Sequence, residues 1–112
     1  MKVYKAITNY KEIFKDNYNT TCGIITADYM FICKNQADAE SWGFLINGET
    51  GAKFKSILIL ETPRLYFNDF GKRAKIRLTK GFHLTALQGG IKLTEALVKK
   101  SEVKIIKEII IN

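Results

Sequence analysis

The sequence predicts an α+β fold, and three features of it carry that expectation. Strand-like segments rich in β-formers outnumber segments of helical spacing, turn signals fall between them, and no internal repeat occurs. The chain of 112 residues has the usual size of one domain, so residues 1–112 are expected to share a single core. A mainly antiparallel sheet of about six to seven strands, covered by two or three short helices, is the expected architecture.

Val3 to Thr8 reads as a first strand, being rich in β-formers. Tyr10, Ile13, Phe14 and Tyr18 then follow helical spacing, with Thr8 or Asn9 available as N-cap. After the polar loop Asn17–Thr21, the apolar stretch Gly23 to Cys33 reads as two strand pieces or one bent strand. Asn35 is placed to cap a second helix whose beginning holds Asp38 and Glu40, as the helix dipole favours. Ala39, Trp42, Gly43 and Leu45 are expected to face inward, and Asn47-Gly48 to end the helix.

Phe54 to Glu61 becomes nearly all apolar, as a central strand does; Pro63 interrupts it and Leu65 to Phe67 resumes. Asn68-Asp69-Phe70-Gly71 reads as a turn. In the next strand Ala74, Ile76 and Leu78 alternate with Arg73, Lys75, Arg77 and Thr79, so the apolar set is expected in the core and the cations on the opposite face. Lys80-Gly81 leads into a strand from Phe82 to Leu87, which Gly89-Gly90 ends. Leu93 to Lys100 is expected as a third helix, with Lys99 and Lys100 in its last turn. The run Val103 to Ile111 is expected to close the fold as a central strand buried on both faces.

Charge is distributed unevenly. Residues 1–52 hold five Lys and six Asp or Glu, whereas residues 53–112 hold thirteen Lys or Arg and five Asp or Glu, a surplus of eight. An asymmetry of this kind points to an anionic partner, with a merely solubilising lysine surface as the plainer alternative. The stripe Arg73, Lys75, Arg77 concentrates the signal, and Lys72 and Lys80 extend it. Alternate strand positions lie roughly 7 Å apart, a spacing suited to successive phosphates of one nucleic-acid strand. Tyr66, Phe67 and Phe70 are candidates for a stacking face beside those cations. The expected function is binding of nucleic acid or an anionic nucleotide ligand through Arg73, Lys75, Arg77, Lys72, Lys80, Tyr66, Phe70 and His83. The competing reading of the stripe is a solvated strand face whose lysines guard a sheet edge.

His83, the one histidine, titrates near neutrality in its unperturbed form, so it can move a proton, but a lone histidine more often just packs. A nuclease reading would make it the acid or base, with Lys80 and the arginines as phosphate clamp. Cys22 and Cys33 stand eleven positions apart without a CxxC pair or a second histidine, which argues for core thiols and against a metal site. No phosphate loop, dinucleotide fingerprint or nucleophile elbow is present, so no cofactor is expected. No apolar run reaches membrane-spanning length and Met1–Lys5 does not open a signal peptide, so a cytoplasmic protein without membrane contact is expected.

The pieces Val3-Tyr4-Lys5-Ala6, Gly23-Ile24-Ile25-Thr26-Ala27-Asp28 and Ala39-Glu40-Ser41-Trp42-Gly43 together resemble small ADP-ribosyltransferase-like domains over about half the chain. The resemblance implies an NAD-using transferase with a catalytic carboxylate on a late strand, for which Glu102 and Glu108 are the candidates. A third expectation, drawn from small size and the absence of catalytic motifs, is an inhibitor or accessory protein of a phage or other mobile element that acts by protein–protein contact.

Overall fold

The computed structural model describes residues 1–9, 28–69, 75–86 and 90–111. Among them, eight strands form two antiparallel sheets beside one α-helix. The first sheet has the order β1 (Lys2–Thr8), β3 (Phe54–Glu61), β8 (Lys104–Ile110). The second runs β2 (Tyr29–Ile32), β7 (Lys92–Lys99), β4 (Leu65–Asp69), β5 (Lys75–Thr79), with β6 (His83–Ala86) also pairing with β7. Helix α1 spans Gln36–Thr50. The α+β expectation therefore holds, with the sheet divided in two.

The sheets touch edge to edge at one bridge. Tyr4 and Cys33 exchange backbone hydrogen bonds there, Tyr4 N donating to Cys33 O over 3.0 Å and Cys33 N to Tyr4 O over 2.7 Å. One core cluster joins Val3 and Leu60 of the first sheet to Ile32, Leu65, Ala96 and Val98 of the second. A second lies under the helix, where Ala39 packs with Ile57 and Cys33, flanked by Tyr4, Trp42, Phe54, Ile109 and Ile111.

Helix α1 begins as expected, because Asn35 Oδ1 accepts from Asp38 N at 2.8 Å and satisfies one of the first-turn donors. It runs on past Asn47-Gly48, where the sequence suggested its end, to Thr50. Gly51, at φ 76°, supplies the left-handed cap, and its N–H donates to Asn47 O. Asp38 also ties the helix to β7, accepting from Thr94 N at 2.9 Å and from Thr94 Oγ1 at 2.5 Å.

Four expectations are corrected. Residues 93–100 do not form a helix: Lys92–Lys99 is strand β7, with β2, β4 and β6 as its partners. Leu93, Ala96 and Leu97 fit helical spacing, but burial of Ala96, Leu97 and Val98 in succession is the signature of a strand covered on both faces. The closing segment is a strand but not a central one. Among the described residues β8 pairs only with β3, and Ile105 and Ile110 are 66% and 61% exposed. The interior position of the first sheet belongs to β3, as its apolar run indicated. In β5, Ile76 is half-buried and Leu78 is 64% exposed, so this strand does not send its apolar side into a core; it lies at the end of the sheet order. Asn68 and Asp69, read as part of a turn, continue β4. The expected first helix at 10–18, the strand piece 23–27, Cys22 and Ala74 lie outside the described residues.

Candidate nucleic-acid interface

β7 changes partner along its length. Leu97 is paired with Tyr66 of β4, whereas Glu95 is paired with His83 of β6, and the β6 ladder continues to Ala86↔Lys92. Where the two ladders meet, a cavity of about 290 Å³ opens, lined by Phe31, Phe67, His83, Thr85, Glu95, Ala96 and Leu97. That volume sits at the lower bound of about 300 Å³ for small-molecule sites, which suits a single planar ring system better than a folded cofactor.

Its walls are aromatic on one side and polar on the other. The rings of Phe67 and His83 lie 5.2 Å apart at 58° to one another, so they already touch and leave no slot between them. A planar ligand would pack on their combined surface and against Phe31. On the polar side, His83 stands directly opposite Glu95, and Thr85 Oγ1 donates to Glu95 Oε2 over 2.8 Å.

The basic strand adjoins this cavity through β4. Phe67 is the Cα partner of Arg77, and opposed residues of an antiparallel pair share one face. Arg77 is exposed, and so is Lys80 in the bend that follows β5. Lys75 opens β5, two positions before Arg77 and opposite Asp69. Thus His83, Phe67 and Arg77 are brought together in one region, with Lys75 and Lys80 on the same strand and the bend after it.

Other expected site residues are placed elsewhere. Tyr66 and Phe67 are neighbours on a strand and project to opposite faces, so they do not form one stacking surface. The Tyr66 hydroxyl donates to Glu102 Oε1 over 2.7 Å, its ring stands edge-on to Tyr29 at 5.3 Å, and Arg64 Nε reaches Glu102 Oε2 at 3.1 Å. This bond to the carboxylate pushes the Tyr66 pKa up from its ordinary value, helped by burial. Arg73, Lys72 and Phe70 lie outside the described residues. Phe31, Thr85 and Glu95 enter the cavity without having been singled out from sequence. With Gly89-Gly90 expected to end one strand before a helix, the sequence carried no signal for them; the antiparallel pairing of β6 with β7 is what sets His83 against Glu95.

A second cavity, of about 520 Å³, lies between β1, β2 and α1 and is walled chiefly by Tyr4, Tyr29, Met30, Phe31, Trp42 and Ile46. Lys5 also lines it and donates from Nζ to Phe31 O at 3.1 Å. Cys33 is a further wall residue, but burial, aided by the negative charges of Asp38 and Glu95, pushes the thiol up to about 12, which keeps it protonated and non-nucleophilic at neutral pH.

Glu102 is held in the 3-10 turn Lys100–Glu102 by Tyr66 and Arg64, and Glu108 is exposed on β8; neither lines either cavity. Among the described residues no group of three or more His, Cys, Asp or Glu is placed to hold a metal ion, and no helix is long and apolar enough to cross a membrane. No family model, curated protein or solved structure matches this chain.

Proposed function

We propose that this protein binds single-stranded nucleic acid, a base resting in the Phe31–Phe67–His83 cavity and phosphates following the basic strand. The observation that carries the reading is the opposition of Phe67 and Arg77 across β4 and β5, beside the ring contact of Phe67 with His83. Sequence-tolerant single-strand binders need an aromatic surface for a base and a cation within one nucleotide of it. Residues 75 and 77 stand at roughly the 7 Å repeat of an extended strand, a spacing that suits successive phosphates of one nucleic-acid strand.

Among the described residues β5 stands at the end of its sheet order, which favours the same reading, because a linear polymer can run along an edge strand without being threaded into a pocket. Cytoplasmic residence belongs to the same proposal. Titration of a short fluorescent oligothymidylate, followed by anisotropy at low and at raised salt, tests it. Saturable binding that weakens steeply with salt is the expected result. Absence of binding at low salt overturns the reading and favours the protein–protein alternative.

A further inference from the structure

We infer that the cavity selects guanine, through the Glu95 carboxylate. The inference rests on the single-strand reading above and adds base preference to it. An acidic side chain in the wall of a cavity that adjoins a basic strand is costly for a protein whose ligand is a polyanion, because it repels phosphate. It becomes favourable only where the ligand presents hydrogen-bond donors instead of charge.

Glu95 meets the geometric requirements for that role. It lines the 290 Å³ cavity together with Phe31, Phe67 and His83. Strand β7 fixes its backbone against β6, and Thr85 Oγ1 holds one carboxylate oxygen, Oε2, at 2.8 Å. A carboxylate offers about four lone-pair directions, so the hydroxyl orients the group and leaves most of its accepting capacity for a ligand. In a single strand the Watson–Crick edge of each base is open to such contacts.

Only one of the four common bases matches two adjacent acceptors. Guanine presents N1–H and the N2 amino group side by side, a donor pair that meets both oxygens of one carboxylate. Adenine and cytosine each set one amino donor beside a ring-nitrogen acceptor, which a carboxylate repels. Thymine offers a single N–H between two carbonyl acceptors. Bidentate recognition of this kind discriminates between bases by about tenfold or more.

The test uses the intact protein and oligothymidylates carrying one central guanine, adenine, cytosine or inosine. Anisotropy titrations are expected to show the guanine strand binding about tenfold more tightly than the plain thymine strand. Inosine, which lacks the 2-amino group, is expected to fall between them. Glu95→Gln, which replaces one acceptor oxygen with a donor amide, should erase the guanine preference, so that the variant binds the guanine strand no more tightly than the plain thymine strand. Equal affinity of the native protein for the plain thymine strand and the four substituted strands overturns guanine selection while leaving single-strand binding intact. Failure of every strand to bind overturns both. If Glu95→Gln lowers the melting temperature, Thr85→Val, which frees the carboxylate from its orienting hydroxyl, supplies the second check. An undiminished guanine preference in both variants contradicts the inference.

Discussion

Phe67 and Arg77 face each other across β4 and β5, and the Phe67 ring rests 5.2 Å from that of His83. One residue thus links the cavity to the basic edge, which makes it the place where the proposed base and its phosphate are held in register. Phe67→Ala is expected to weaken oligonucleotide binding by about 1–3 kcal/mol, the usual worth of one stacked base. Phe67→Trp should retain most of the affinity. Paired anisotropy titrations and thermal melts separate weakened stacking from a damaged fold, and equal affinity of Phe67→Ala and the native protein contradicts the stacking role.

Asp38 has a different task. Its carboxylate receives both the amide and the hydroxyl of Thr94, fastening α1 to β7. Hydrogen bonds to charged groups contribute about 1.5–3 kcal/mol. Asp38→Ala should therefore lower the urea unfolding free energy by about 2 kcal/mol. Affinity for a guanine or a thymine strand, read under native conditions, should not change.

Gly43 lies against the ring of Phe54. A Cβ built there falls 2.7 Å from three atoms of that ring, which in turn meets Phe44 edge-on at 5.1 Å. Gly43→Ala gains about 0.5–1 kcal/mol of helix propensity but incurs about 1–3 kcal/mol of overpacking. A net destabilisation of about 1 kcal/mol is expected from these two opposing effects. A rise in melting temperature would show that Phe54 moves aside freely.

Cys33 makes a prediction about alkaline pH. Its pKa is pushed from 9.0 to about 12, chiefly by burial. On unfolding the thiol recovers its ordinary acidity, so the unfolded chain releases the proton first as pH rises. The Cys33 contribution to stability is complete below pH 9 and is lost as pH climbs from 9 toward 12. Denaturation midpoints of the native protein should fall faster across that window than those of Cys33→Ala. Parallel slopes would show that the thiol is not coupled to folding.

Much of this arrangement was legible in the residues themselves, and the parts that were not have physical causes. The boundaries of β3 and the cap of α1 are local: an apolar run ended by Pro63, and an Asn side chain three residues before its partner amide. The face shared by positions 75, 77 and 79 follows from the pleat alone. By contrast, Leu93, Ala96 and Leu97 satisfy helix and strand patterns equally, and only pairing with β2, β4 and β6 decides between them. Reading that segment as a helix hid Glu95, whose position opposite His83 exists only in the antiparallel pairing of β6 with β7. The isoleucines of β8 announce a strand but carry no information on depth, since β-branched residues fit an exposed edge as well as a core.

The most direct test of the account is the triple substitution Arg73→Gln, Lys75→Gln, Arg77→Gln compared with the native protein on one labelled single strand. Native binding should weaken with salt on a logarithmic plot, with a slope reduced by roughly 2 units in the variant, about 0.7 for each phosphate no longer neutralised. The variant should remain folded, as judged by a cooperative thermal melt, yet bind at least about tenfold more weakly at low salt. Identical affinity and identical salt slope in the two proteins would contradict the claim that the basic strand grips a polyanion.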